Sequence, residues 1–196
     1  MKRIAALIAS PRKGGNVDIL TTALLNGAAE AGAQTEAIYL IDTNVRPCTQ
    51  CEACHRPGAS ACVLADDFAG IADAMARADA IILATPIWWS SMHATLKLVL
   101  DRCYSLLDSN WGNFKLSGKQ FVLIAAQTQP DVSMYAEALA KEFAVYQDWL
   151  KIRLVDHIAV SAEARGEVAQ NAEAMEKARR IGRSLALGDR PSLAHE

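Results

Sequence analysis

The fold is decided by the stretch Ser10-Pro11-Arg12-Lys13-Gly14-Gly15-Asn16, which separates a short apolar run from a helical pattern. Before it, residues 4–9 are continuously apolar, as in a strand that is covered on both faces. After it, apolar residues recur at helical spacing from position 19 to position 28. A strand that turns through glycines into a helix directs several free backbone N–H groups at one point. Because this point lies at the positive end of the helix dipole, the stretch predicts a phosphate site.

The spacing of the glycines narrows the class of phosphate ligand. It does not match the G-x-G-x-x-G pattern of dinucleotide sites, and it lacks the G-K-[ST] of nucleoside triphosphate loops. We therefore expect a mononucleotide phosphate, with Arg12 as a forked cationic donor. The alternative interpretation is a solvated turn without a ligand, since glycine and proline occur in many loops.

Length and charge exclude several classes of protein. A chain of 196 residues, 52% of them hydrophobic, can form one sizeable core, so we expect one domain over 1–187 and a polar tail over 188–196. The net charge of −2 and the scattered basic residues predict no nucleic-acid partner. No apolar run has the length of a membrane span, and the first one is too short for a signal peptide. We therefore expect a cytoplasmic protein without a membrane partner.

Short apolar runs alternate with helical patterns along the chain. Strands are predicted at 4–9, 37–41, 80–84, 121–125 and 153–160, and helices after position 16, over about 67–77, 92–106 and 132–150, and near the C terminus. This alternation predicts an α/β fold: a five-stranded parallel sheet of order 2-1-3-4-5 between two layers of helices. Ligands of such sheets bind beyond the carboxyl ends of the strands, where loops 10–17, 86–91 and 127–131 are expected to converge.

Four of the five cysteines lie in a long stretch without regular pattern, residues 43–65. Cys48, Cys51, Cys54 and Cys62 form the pattern C-x2-C-x2-C-x7-C. Three thiolates at this spacing can surround one inorganic centre, and a fourth can complete it. Four thiolates also suit structural zinc, and a third interpretation is a set of thiols without metal. The fifth, Cys103, stands alone on a helical face and is expected in the core.

Together these motifs resemble the flavodoxin-like NADPH-dependent FMN reductases and, within them, the iron–sulfur flavoproteins. The matching segments are residues 10–16, the cysteine pattern, Asp66-Asp67, Thr85-Pro86-Ile87-Trp88-Trp89, Leu96-Lys97 and Asp101-Arg102. The match covers about residues 1–125, and the last third fits only by its pattern of strands and helices. The resemblance implies a flavodoxin-like three-layer sandwich, FMN as cofactor, and NADPH or NADH as electron donor.

The resemblance also implies two groups of FMN-binding residues. The phosphate group is Ser10, Arg12, Gly15, Asn16 and the backbone of Val17; the ring and ribityl group is Pro86, Ile87, Trp88, Trp89, Ser90 and Thr128. A flavin ring is a large apolar plane that packs well against aromatic walls. The adjacent tryptophans could instead be core or subunit-contact residues.

The sequence departs from the family pattern in three places. Val17 replaces a Ser or Thr, which removes one hydroxyl from the phosphate site. Ser90 stands where glycine is common, which changes how closely that loop can approach the ring. Gln127-Thr128-Gln129 replaces a glycine-rich third loop, so the ring contacts of this loop differ from the family pattern.

The implied function is an FMN-dependent NAD(P)H oxidoreductase that passes electrons to a quinone, a flavin or another small acceptor. The resemblance implies a [4Fe–4S] cluster on the four cysteines as a further electron carrier. The alternative is a non-enzymatic flavodoxin-like electron carrier or redox sensor, although carriers tend to be strongly acidic and this chain is not. By analogy with related reductases, Trp88, Trp89 and Trp111 predict a homodimer or homotetramer in which a neighbour covers the flavin.

Overall fold

A parallel sheet forms the centre of the protein. The computed structural model describes residues 1–59, 61–108 and 112–188. The strands are β1 (Arg3–Ile8), β2 (Gln34–Tyr39), β3 (Ala80–Trp88), β4 (Ser91–Met92), β5 (Gln120–Gln127) and β6 (Arg153–Ser161). The sheet has the order β2-β1-β3-β5-β6 with parallel pairing, which confirms the predicted order 2-1-3-4-5. The short β4 is a sixth strand, antiparallel to the end of β3.

Helices cover both faces of the sheet, as the sequence predicted. They are α1 (Asn16–Glu30), α2 (Phe68–Arg77), α3 (Ala94–Arg102), α4 (Ala136–Ala144), α5 (Tyr146–Leu150) and α6 (Ala172–Leu187). The single helix predicted over 132–150 is wrong, because a 3₁₀ turn at Val132–Met134 precedes α4 and a short α5 follows it. α4 begins only at Ala136, and the N–H of this residue donates a hydrogen bond of 2.8 Å to the side-chain oxygen of Gln127.

Two apolar clusters, one on each face of the sheet, form the core. Alternate residues of β1 point to opposite faces, so Ile4 and Ile8 join the cluster under α1 and α6, whereas Leu7 joins the one under α2, α3 and α4. The contact between α1 and α6 is unusually close at Gly182, where an added Cβ would lie 2.0 Å from the carbonyl oxygen of Leu24. Only glycine permits this approach, and both helices contact β1.

The end of β3 differs from the prediction. The strand was expected to end at Thr85-Pro86, with a loop to residue 91, but it continues to Trp88 and forms a two-residue hairpin with β4. The turn residues Trp89 and Ser90 have φ values of +49° and +65°. Two consecutive positive φ values are typical of the tight hairpin turn that matches strand twist, and they are usually provided by Asn or Gly. The glycine expected at position 90 is thus replaced by a serine in the left-handed conformation.

Some sequence predictions fall outside the described residues. Trp111 and residues 189–196 of the predicted tail are among them. In the part of the chain that the structure describes, no helix is long and apolar enough to cross a membrane.

Candidate functional site

The turn between β1 and α1 forms the first wall of the site. The N–H of Gly15 donates a hydrogen bond of 2.9 Å to the carbonyl oxygen of Arg12. An added Cβ at Gly15 would lie 2.8 Å from that same oxygen, so a larger residue does not fit there. Gly15 caps α1 without any side-chain hydrogen bond. The first amides of α1 are therefore not capped by a side chain, which leaves them available to an anion.

A buried carboxylate orders this turn. Asp18 accepts hydrogen bonds from the N–H of Gly14 at 2.6 Å and from the hydroxyl of Tyr39 at 2.8 Å. Burial, and then the contact with Asp18, raise the pKa of Tyr39. The amide of Gly14 is thus already bonded to Asp18, so it differs from the uncapped amides at the start of α1.

In the part of the chain that the structure describes, no carboxylate neutralises the guanidinium of Arg12. No ion pair among the described residues involves Arg12. Its backbone N–H donates to the hydroxyl of Ser10 at 3.2 Å, which fixes the turn ahead of it. The side chain is exposed at the edge of a cleft, so its positive charge is available to a ligand.

This cleft has a volume of about 350 Å³ and lies beyond the carboxyl ends of the strands. Ten of the eleven predicted FMN-binding residues line it: Ser10, Arg12, Gly15, Asn16, Val17, Pro86, Ile87, Trp88, Trp89 and Thr128. Ser90 does not line it, because it is the second residue of the hairpin turn and follows the strand that forms the wall. The structure thus brings the three predicted loops together.

A fourth wall was not predicted from the sequence. The loop after β6 contributes Ala162, Glu163 and Arg165 to the cleft. Arg165 reaches across Gly14 and donates a hydrogen bond to the carbonyl oxygen of Lys13. The rule that ligands lie beyond the strand ends could have indicated this loop, since β6 is also parallel and ends at the same edge.

The side chain of Asn16 serves the protein rather than a ligand. Its amide nitrogen donates to the carbonyl oxygens of Ala162 and Ala164, at 3.2 and 2.9 Å, and its oxygen accepts from the N–H of Val168. These bonds attach the loop after β6 to the start of α1. A phosphate contact of Asn16 is therefore expected from its backbone N–H.

The two tryptophans of the hairpin are not core residues. Trp88 is 50% exposed and Trp89 is 97% exposed, which rules out the core interpretation. The ring of Trp88 makes an edge contact with His93, at 6.1 Å between centroids. Burial lowers the pKa of His93, and its Nδ1 accepts from the N–H of Thr95 at the start of α3. This arrangement leaves an apolar aromatic wall open to a planar ligand.

The four predicted metal ligands line a second, small pocket. Cys48, Cys51, Cys54 and Cys62 share it with Arg102 and Tyr104, and none of them forms a disulfide. Within residues 1–59, 61–108 and 112–188, no three Cys, His, Asp or Glu side chains converge as ligands of a single metal ion. A zinc ion needs four ligands at one centre. A four-iron cluster takes one thiolate on each iron, and this pocket holds four cysteines.

The pKa values of two thiols in this cysteine pocket shift in opposite directions. Hydrogen bonds from the backbone of Ala53 and the side chain of Thr49 lower the pKa of Cys51. Burial, followed by the nearby Cys62, raises the pKa of Cys54. Gln50 and Glu52 flank Cys51 with φ values of +50° and +55°, so the backbone turns sharply around that thiol.

Cys103 does not line the cysteine pocket. It is packed against the apolar core at the end of α3, and burial raises its pKa to about 12. It is therefore a neutral thiol, in agreement with the prediction that it is a core residue.

The chain is similar to a known protein family and to several curated proteins. Residues 2–166 match the model of the family described as NADPH-dependent FMN reductase. An iron–sulfur flavoprotein of Methanocaldococcus jannaschii is 37% identical over 100 residues, 51% of this chain and 51% of that protein. An iron–sulfur flavoprotein of Methanosarcina thermophila is 35% identical over 109 residues, 56% of each chain. The matched part spans about half the length of these curated relatives.

Solved structures show the same fold at lower identity. An NAD(P)H:quinone oxidoreductase from Methanothermobacter marburgensis superimposes with a TM-score of 0.71, covering 94% of this chain and 96% of that one at 18% identity. This likeness confirms the flavodoxin-like sandwich predicted from the sequence. Since the family model extends over most of the chain, from β1 to the loop after β6, the chain belongs to the NADPH-dependent FMN reductase family.

Proposed function

We propose that this protein is an FMN-dependent NAD(P)H oxidoreductase that passes electrons to a quinone, a flavin or another small acceptor. The observation that carries the proposal is the cleft at the start of α1, where uncapped helix amides, the exposed Arg12 and the aromatic wall of Trp88 meet. Such a site offers a charged corner for a phosphate and an apolar wall for a ring. FMN, the cofactor of the family, has both parts.

The residues of the cleft fit FMN. The amides of the first turn of α1 and the guanidinium of Arg12 would bind the phosphate dianion, and Trp88 and Ile87 would lie against the ring. When bound, FMN supplies hydride acceptance from NAD(P)H and the release of electrons singly or in pairs. The protein binds and orients the flavin and shields one of its faces, and no acid–base residue is required.

We further propose a [4Fe–4S] cluster on Cys48, Cys51, Cys54 and Cys62. The proposal is supported by the pocket that the four cysteines share and by the names of the curated relatives. The four thiolates would hold the cluster, which supplies one-electron transfer when present. Two- and one-electron carriers in one protein suit a converter between hydride donors and one-electron acceptors.

A second copy of the chain is proposed to cover the flavin side of the cleft. The support is the exposed hairpin, because Trp89 is 97% exposed and Trp88 is half exposed at the rim. Large exposed aromatic residues next to a cleft are typical of subunit contacts. Sedimentation equilibrium of the flavin-loaded protein tests this point: a monomer at micromolar concentration would contradict it.

The test of the function is a preparation without oxygen. The purified protein should show a flavin absorption spectrum that bleaches on addition of NADPH or NADH and recovers on addition of a quinone. Iron and acid-labile sulfide should each approach about four per chain, as expected for one four-iron cluster. A protein that cannot be loaded with FMN would refute the proposal, and zinc in place of iron would refute only the cluster.

A further inference from the structure

Beside the cysteine pocket, Arg102 forms a buried ion pair. This residue ends α3 and is 1% exposed. Its guanidinium donates two hydrogen bonds to the carboxylate of Asp66, at 2.7 and 3.2 Å, and the Asp66 side chain is also 1% exposed. A buried pair with this two-bond geometry holds its partners in one relative position.

The pair holds both ends of the cysteine segment. Arg102 donates a hydrogen bond of 2.9 Å to the carbonyl oxygen of Arg46, two residues before Cys48. Asp66, four residues after Cys62, accepts from the N–H of Arg46 at 3.0 Å. The same carboxylate accepts from the N–H of Phe68 at the start of α2. One guanidinium therefore attaches the start and the end of the segment to α3.

One donor of Arg102 remains unused. Its Nε–H is buried and has no acceptor among the described residues. The side chain lines the cysteine pocket, and its charge interacts with the Cys62 thiol. A buried donor without an acceptor is unfavourable, so such an atom indicates a partner that completes the site. A sulfur atom of a bound cluster or of its thiolate is an acceptor of the required charge.

We infer that Arg102 is a positioning residue for the cluster: its ion pair with Asp66 closes the cysteine segment, and its free N–H and positive charge face the cluster sulfur. The inference rests on the proposed cluster. Hydrogen bonds and charges near the sulfurs determine the reduction potential of iron–sulfur clusters. Arg102 and Asp66 thus shift that potential in opposite directions, Arg102 upward and Asp66 downward.

The test compares four proteins purified without oxygen: wild type, Arg102→Lys, Arg102→Gln and Asp66→Asn. The midpoint potential of the cluster is measured by a redox titration followed by electron paramagnetic resonance. We expect a lower potential in Arg102→Gln, a smaller decrease in Arg102→Lys, which keeps the charge, and a higher potential in Asp66→Asn. Iron loss to a chelator should be faster in all three variants. Arg77→Gln is the matched control, because Arg77 ends α2 in an exposed position.

If the inference holds, the midpoint potential shifts in opposite directions in Arg102→Gln and Asp66→Asn. A purely structural role would destabilise the cluster in both variants and would not produce potential shifts of opposite sign. Equal potentials in wild type and Arg102→Lys, or shifts of the same sign in Arg102→Gln and Asp66→Asn, would overturn it. If either Arg102 variant fails to fold, Asp66→Asn alone still decides, since an unchanged or lower potential contradicts the inference. Wild-type protein with no more iron than Cys62→Ser would refute the proposed cluster, and this inference with it.

Discussion

The side-chain amide of Asn16 donates a hydrogen bond of 2.9 Å to the carbonyl oxygen of Ala164, so the first helix holds the loop that follows the last strand. A second donor bond to Ala162 and an acceptor bond from Val168 complete the attachment. The residues that this attachment orients, Glu163 and Arg165, line the cleft proposed for FMN. Asn16 thus connects the start of α1 to the loop after β6, beside the cleft proposed for FMN.

We expect Asn16→Ala to weaken FMN binding even though the side chain faces no ligand. The loss of three hydrogen bonds to the loop should free residues 162–168, and amide hydrogen exchange there should become faster. Ordering the loop on binding would then cost affinity, roughly tenfold for about 1.4 kcal/mol. Asn26→Ala, on an exposed face of α1, is the control. Unchanged exchange and affinity in Asn16→Ala would contradict this role.

The two arginines at the cleft should differ in their effect on FMN affinity. Arg12→Ala should cost about 1.5–3 kcal/mol, because it removes a charge-assisted contact with the phosphate. Arg165→Ala should cost less, since its guanidinium is already bonded to the carbonyl oxygen of Lys13. Calorimetric titration of the flavin-free protein measures both effects.

Riboflavin is the matched ligand for this experiment, because it lacks the phosphate. The penalty of Arg12→Ala should disappear when riboflavin replaces FMN. Lys13→Ala is the matched protein control, since Lys13 is paired with Asp42 outside the cleft. An equal loss of affinity for both flavins would show that Arg12 acts through the fold and not through the phosphate.

Gly182→Ala should destabilise the protein. The new Cβ would meet the carbonyl oxygen of Leu24 at 2.0 Å, so α6 must move away from α1. Overpacking of this kind costs about 1–3 kcal/mol. Gly70→Ala is the control, because no atom lies within 4 Å of its added Cβ and alanine favours the helix by about 0.5–1 kcal/mol. Urea unfolding checks both values, and a neutral Gly182→Ala would contradict the close contact.

The Asp66–Arg102 pair should contribute to the free energy of unfolding, and this contribution should be lost in acid. Hydrogen bonds from Arg102 and the backbone outweigh burial and lower the pKa of Asp66 from 3.8 to about 2. A carboxyl group whose pKa is lower in the folded state stabilises it above the ordinary pKa, and this contribution is lost as the pH falls to about 2. The contribution amounts to about 2 kcal/mol, at 1.36 kcal/mol for each pKa unit.

Asp66→Asn checks this contribution. The stability difference between wild type and Asp66→Asn, both free of iron, should be largest above pH 5 and should shrink as the pH falls from 4 towards 2. Urea unfolding at several pH values measures it. A difference that stays constant over this range would show that the pair does not depend on the charge of Asp66.

The sequence alone determined the order of the elements and much of the cleft. A short, continuous apolar run such as residues 4–9 is typical of a strand that is buried on both faces. The parallel sheet could therefore be predicted from the local pattern. The glycines before Asn16 and the loop at Pro86 follow strands, and the topology of a parallel sheet brings such loops to one edge. The ten predicted residues that line the cleft follow from these two facts together with the family resemblance.

Only the tertiary structure decided the contacts between distant residues. The left-handed turn at Trp89 and Ser90 depends on the pairing of β4 with β3, and local preference would not place Trp and Ser there. Arg165 donates a hydrogen bond to Lys13, in the turn before α1, although the two residues are 152 positions apart in the sequence. Arg102 and Asp66 form an ion pair although they are 36 positions apart. Such contacts leave no periodic signal, because they depend on where packed elements end in space rather than on any repeat along the chain.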